Sequence, residues 1–258
     1  MTINFNEDTL SEKPAIAQLK AMGYLFVPGE RLDPQETEDS ERTSRREVVL
    51  TGRLRKKLEE LNPRATEETL DKAVRFMTSF QAAGMLEENQ AIHGALVQYK
   101  SFEQDSEKGR RGQTVRFIDF ETPEANEFLV VNQFWVKGPK DLDRPDIVIF
   151  VNGIPLAVIE CKSPVAKDVG VVDAARQLIR YQTEIPALFR TNQLLLGVNV
   201  FGAQYAAVGA PLEHFHEWHA PTKEKIPKLN HHPAILEMGE LGLINRSDLS
   251  PIPPPRMF

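Results

Sequence analysis

The chain has one cysteine, Cys161, so an internal disulfide framework is excluded. No apolar run in it approaches the ~20 residues that span a bilayer. Its first residues, MTINFNEDTL, are polar and acidic and lack the basic-then-apolar order of a secretion signal. Positive charge is scarce: 31 Lys and Arg against 37 Asp and Glu leave a formal charge of −6. A self-sufficient nucleic-acid binder usually presents a net basic face, so the acidic balance counts against one. It suits instead a module to which such a partner is delivered by other subunits. No internal repeat is visible. These absences leave a cytoplasmic globular module. At 258 residues and 41% hydrophobic, it can bury one large core, with or without an appendage.

What is present concentrates in Arg144 to Pro164, RPDIVIFVNGIPLAVIECKSP. Asp146–Val151 and Ile154–Ile159 are β-branched and aromatic runs, and Asn152-Gly153 between them is the strongest short hairpin signal. Loop length decides which residues share a face, because a one-residue slip turns every side chain over. A plain two-residue loop pairs Val151 with Ile154 and turns Asp146 away from Glu160. A three-residue loop, Val151-Asn152-Gly153, puts Asp146, Val148, Phe150, Ile154, Leu156, Val158, Glu160 and Lys162 on one face. We expect that loop or an equivalent bulge near Pro155. The opposite face, with Ile147, Ile149, Ala157, Ile159 and Cys161, is also apolar. Strands apolar on both sides are covered on both sides, which points to an α/β layered core. Cys161 then reads as a buried thiol on the face away from the acids.

Asp146 and Glu160 would be two carboxylates at one spot, with Lys162 beside them. Mg²⁺ takes oxygen ligands and retains waters, so two carboxylates, the Cys161 backbone carbonyl and a substrate phosphate are a sufficient set. Such a metal activates water and offsets charge in a phosphodiester transition state. Lys162 could hold the attacking water or steady the developing charge. The plainer alternative makes Asp146 a turn residue and Glu160 and Lys162 ordinary strand-end charges. Placement at the end of an apolar face, where unpaired charge is costly, favours the chemical reading.

Elsewhere the pattern is coarser. Ser11 can cap a helix over Glu12–Met22, with Gly23 as its stop. Residues 28–44 are charged and aperiodic and read as a mobile loop. Helices are expected over Arg45–Leu61, after a Thr66 cap with Leu70, Ala73, Val74 and Met77 on one face, over Leu86–Tyr99 and over Asp173–Gln182. Glu103–Gln113 reads as a polar loop. Strands are expected at Val115–Phe120, Leu129–Val136, Gln193–Val200 and Gln204–Gly209. Basic residues cluster in Arg42–Lys57, which includes Arg45 and Arg46, and again at Lys108, Arg110 and Arg111. Either cluster could contact phosphates, and either could equally be a solvated surface. His214, His216 and His219, with His231-His232 beyond, could bind a transition metal, but no thiol accompanies them and an incidental role is favoured.

The stretch RPDIVIFVNGIPLAVIECKSP resembles the PD-(D/E)xK nuclease motif in the R subunit of type I restriction–modification enzymes. VVNQFWVKG upstream and DAARQLIRYQTEIPALFRTNQLLLGVN downstream extend the resemblance, which runs from about Glu12 to about Trp218. It implies a mixed central β-sheet flanked by helices and Mg²⁺-dependent cleavage of double-stranded DNA, with Mn²⁺ as a substitute. Carried over, Asp146 and Glu160 are metal ligands and Lys162 is the catalytic lysine. Gln177 and Tyr181 match the Q-x-x-x-Y element of RecB-like nucleases, and Glu12 matches a helical glutamate of the wider superfamily. Gln177 and Tyr181 are four apart and share a helix face; without the resemblance, a face packed on the sheet or wetted by solvent would be the simpler reading.

The implied partners are DNA and the methyltransferase and specificity subunits, with no membrane. ATP would serve only a motor region, since the chain has no G-x-x-x-x-G-K-[ST] phosphate loop. The expected organisation is an endonuclease domain over 1–220, helical over about 1–100 with a catalytic sheet over about 112–210. A stiff Pro-rich segment over 221–258 would be a linker or the start of the motor. Two alternatives stand beside this one: a non-cleaving docking module with a nuclease fold, and a stand-alone structure-specific nuclease.

Overall fold

Two strands that are apolar on both faces need cover above and below, and the molecule is arranged around that demand. The computed structural model describes residues 11–79, 82–106, 109–162, 170–199 and 202–218. In chain order the elements are α1 (Lys13–Ala21), β1 (Leu25–Pro28), α2 (Thr51–Leu61), α3 (Glu67–Ser79), α4 (Met85–Gln98), β2 (Lys100–Ser106), β3 (Gly109–Val115), β4 (Phe128–Asn132), β5 (Val136–Lys137) and β6 (Leu142–Asp143). They continue with β7 (Ile147–Val151), β8 (Ile154–Cys161), α5 (Val171–Glu184), α6 (Pro186–Phe189), β9 (Leu194–Asn199), β10 (Gly202–Ala207) and β11 (His216–Glu217). Seven strands form one mixed sheet in the order β1-β4-β7-β8-β9-β10-β11. β1 runs parallel to β4 and β8 parallel to β9, and the other neighbours are antiparallel. Every residue of β7 and β8 is buried. The class is α/β with a mixed central sheet flanked by helices.

The hairpin register resolves the question the sequence raised. The loop is the two-residue one: Val151 pairs with Ile154, and Asn152 and Gly153 have φ of 53° and 78°. Positive φ at both positions is the type I′ geometry that Asn-Gly favours. The register then shifts, with Phe150 opposite Pro155 but Ile149 opposite Ala157. The extra residue is a bulge at Pro155-Leu156, where proline cannot donate to the ladder. The three-residue loop is therefore replaced by its expected equivalent. The bulge brings Ile147 opposite Ile159, so Asp146 stands across from Glu160. It also turns Leu156 away from the acid face. Leu156 lines an apolar cavity with Ile149, Val151 and Ala157 on the other side.

Each face of the sheet has its own cover. Gly197, the neighbour of Glu160 across β8 and β9, admits α5 closely: a Cβ there would lie 2.9 Å from the Ala174 Cβ and 3.1 Å from the Val171 carbonyl. α5 thus lies over the acid face. α4 covers the other, its Leu96 lining the cavity of about 210 Å³ shared with Ile149 and Ala157.

Five local expectations are corrected. Residues 28–44 are tied down: Arg42 is 2% exposed, lies 4.1 Å above the Phe134 ring and donates to the Trp135 carbonyl at 2.9 Å. The helix expected from Arg45 begins only at Thr51, because Val48 and Val49 are buried in a non-helical segment and Leu50 N–H bonds to the Gly153 carbonyl at 2.8 Å. Residues 103–106 and 109–113 are strand rather than loop, in the paired β2 and β3, with Arg110 opposite and bonded to Asp105 at 3.2 Å. The strand expected at Val115–Phe120 ends at Val115; Asn62 then satisfies both backbone groups of Arg116, at 2.8 and 2.9 Å. β1 also places a strand in the part expected to be helical. The segment 221–258, His219, His231, His232 and Lys108 lie outside the described residues. Among the described residues, no helix is long and apolar enough to cross a membrane.

Candidate active site

The hairpin's open end gathers the charges that its turn end cannot. Asp146 precedes β7, and Glu160 and Cys161 close β8. Cys161 N–H donates to Asp146 Oδ2 at 2.8 Å, which fixes one carboxylate oxygen to the neighbouring strand. Glu160 is 2% exposed and takes a hydrogen bond from Lys162 Nζ at 3.0 Å. The Lys162 main chain is held in turn by its N–H to the Val198 carbonyl and by Ser11 Oγ donating to its own carbonyl, at 2.8 and 3.0 Å. Burial pushes the Asp146 carboxyl above its usual range, against the Cys161 N–H, the Lys162 charge and hydrogen bonds with Gln133 and Glu160. Burial thus outweighs the support that Lys162 and these hydrogen bonds give its charge.

Glu12, at the start of α1, reaches the same place. It is 5% exposed. Asn132 Nδ2 donates to its Oε1 at 2.9 Å, and Gln133 Nε2 donates to its Oε2 at 2.7 Å. The same Gln133 nitrogen lies 3.1 Å from Asp146 Oδ1. Asn132 and Gln133 belong to none of the site motifs legible in the sequence. The available signal was two amides ending an apolar strand run, FLVVNQF, where polar side chains face burial.

α5 carries Gln177 and Tyr181 over this face. Gln177 Nε2 donates to Tyr181 Oη at 2.6 Å. Burial, then the Glu160 charge, drives the Tyr181 phenol well above its ordinary value, with Asp146 adding to the effect. Tyr181 is thus both a core residue and a neutral hydroxyl in the field of the acids. The packed reading of this pair holds for Tyr181, which is buried against the sheet with Gln177 bonded to its hydroxyl.

The other candidates sit apart. Arg45 forms a two-point ion pair with the buried Asp33, its Nε 2.8 Å from Oδ1, and lies over the Trp135 ring at 4.9 Å. That engagement ties Arg45 into the fold. Arg46 reaches the Gly138 carbonyl at 3.4 Å. Arg110 and Arg111 are exposed on the separate β2–β3 ribbon, outside the seven-stranded sheet. His216 packs against Tyr205 at 5.8 Å between ring centres. The apolar cavity under α4 has none of the acids in its lining, so it is not where this chemistry gathers.

The donor set fits a hard divalent cation. Asp146 and Glu160 are carboxyls within hydrogen-bonding reach of each other, an arrangement that asks for a proton or a cation between them. Among the described residues no three His, Cys, Asp or Glu side chains close on one point. Mg²⁺ uses one or two carboxylates with water and phosphate.

Comparison with known proteins agrees in extent with the fold. Residues 4–214 match the family model described as type I restriction enzyme R protein N terminus. The chain is 34% identical over 221 residues to the putative type I restriction enzyme MjaIXP endonuclease subunit of Methanocaldococcus jannaschii. It is 29% identical over 214 residues to the type I restriction enzyme HindI endonuclease subunit of Haemophilus influenzae. Each alignment covers 83% of this chain and 20% of the relative, so the chain spans about one fifth of the length of these proteins.

Proposed function

This chain belongs to the type I restriction enzyme R protein N-terminus family, and from that premise we propose that it is a Mg²⁺-dependent DNA endonuclease module with a PD-(D/E)xK site. The observation that carries the reading is Asp146 facing Glu160 across the hairpin with Lys162 bonded to Glu160 at 3.0 Å. Asp146, Glu160 and the Cys161 carbonyl would hold the ion. Mg²⁺ bound there supplies Lewis acidity and lowers the pKa of a coordinated water.

The chain's own side chains do the rest. Lys162, steadied by Glu160 and by Ser11 behind it, presents an ammonium to the attacking water or to a phosphate oxygen, where charge develops. Tyr181 keeps its proton through the neutral range, because burial and the acids hold its titration high. Its oxygen accepts from Gln177, which leaves the hydroxyl proton to donate to the DNA backbone. Glu12 extends the acidic rim from the far side of Asp146. DNA would be delivered by an ATP-driven translocase, in a complex with methyltransferase and specificity subunits. The docking alternative gives no reason for buried acids to face one another.

Lys162→Ala in the assembled restriction complex tests the division of labour. DNA cleavage should fall by roughly 10²- to 10³-fold, the usual loss for one preorganised donor, while ATP-driven translocation continues. Loss of both activities together would overturn it.

A further inference from the structure

Gln133 has a backbone that its residue type does not favour. Its φ is 51°, in the left-handed region that suits glycine or asparagine. The main chain is held there by Gln133 N–H donating to the Asp146 carbonyl at 2.8 Å. For an ordinary turn, asparagine would be the less strained choice, so the longer side chain needs its own reason. That reason is visible in its reach: one nitrogen lies 2.7 Å from Glu12 Oε2 and 3.1 Å from Asp146 Oδ1. Asn132 completes the grip on the other Glu12 oxygen at 2.9 Å. The two carboxylates come from positions 121 residues and 13 residues away from Gln133 in the chain.

We propose that Gln133 is a positioning residue that yokes Glu12 to Asp146 and so fixes the Asp146 carboxylate, with the α1 carboxylate behind it, for the cation. The inference rests on the reading of that site as a Mg²⁺ centre. A primary amide suits the task on chemical grounds. It has two N–H donors and no charge, so it joins two acids without cancelling either. A lysine there would compete with the metal, and a glutamate would add a third repelling charge. Outer groups that orient metal ligands commonly matter ten- to a hundredfold in affinity.

Two substitutions separate the amide from the backbone. Gln133→Asn keeps a residue at home in the left-handed region but withdraws the amide by one methylene. Gln133→Gly keeps the backbone and removes the amide altogether. Mn²⁺ binding to the 258-residue chain is measured by calorimetry, beside the thermal midpoint of each variant. Both variants should remain folded, with at most a modest fall in midpoint from the lost amide bonds, yet bind Mn²⁺ about tenfold or more weakly. Glu12→Gln should weaken binding similarly, and adding it to Gln133→Asn should produce no further loss, the non-additivity of one shared device. Wild-type affinity in Gln133→Asn and Gln133→Gly, or additive losses in the double variant, would overturn the proposal. If Asp146→Asn abolishes binding while both Gln133 variants bind normally, only the yoke fails. If the wild-type chain binds no Mn²⁺, the metal reading fails and the yoke with it.

Discussion

Asp33 and Arg45 show how one residue's engagement settles what it is free to do. Arg45 stands in a basic run that invites a nucleic-acid reading, but its fork grips a carboxylate that is 0% exposed. Removing one partner of a buried pair leaves the other charge stranded. Asp33→Asn should therefore lower stability by about 3 kcal/mol in chemical denaturation. The hydrogen bonds from Arg45 hold the Asp33 carboxyl below its usual range, against burial, with the Gln35 N–H and the charges of Arg45 and Arg42 assisting. A folded value below the unfolded one, near 3.9, gives stability that is present above that pH. It is lost as the pH falls through the lower folded value. Wild-type stability should thus drop below about pH 4, and the Asp33→Asn profile should be flatter there. Equal slopes would exclude this pair from acid unfolding.

At the scale of elements, the decisive contact is α5 on β9. α5 starts with Asp173 Oδ2 accepting the Gly170 N–H at 2.9 Å, half of a capping box. It settles over the acids because Gly197 has no side chain to hold it off. Gly197→Ala should cost about 1–3 kcal/mol, the usual penalty for overfilling a packed contact. The urea midpoint should fall with an unchanged slope. An unchanged midpoint would show that α5 is seated by other contacts. The same contact explains why Gln177 and Tyr181 could be picked as a pair but not placed. Their spacing is a local fact of the helix, whereas the surface they face depends on a glycine in the next strand.

The whole molecule accepts a local liability at the site. Asp146 is buried with its pKa raised, burial being the main cause. The sign follows: a raised folded value favours the protonated form, so stability from this group is lost as the pH rises through that value. Above that value the ionised carboxyl opposes folding unless a cation joins it. Mg²⁺ at about a hundred times its dissociation constant should stabilise the chain by ~2.7 kcal/mol, a rise of several degrees in midpoint for a domain of this size. Asp146→Asn should abolish that rise while its metal-free midpoint equals or exceeds the wild type. A Mg²⁺-induced rise that survives Asp146→Asn would place the ion elsewhere.

Several features were written in the sequence by itself. The hairpin, its Asn-Gly turn, the need for a register correction near Pro155 and the helices of residues 67–79 and 85–98 all follow from signals within a few residues of one another. Local propensity and alternation act at that range. Asp146, Glu160 and Lys162 could be brought together on paper because antiparallel pairing is itself a local rule.

Tertiary structure decided the rest, and the reason is distance along the chain. Leu25–Pro28 is a strand because it meets β4 more than a hundred positions later, at Leu129 to Asn132. The segment after Pro28 is ordered because Arg42 finds Phe134 and the Trp135 carbonyl. Gln133 joins Glu12 across 121 positions. No window of sequence contains both ends of such contacts, so neither residue announces the other until the sheet has closed between them.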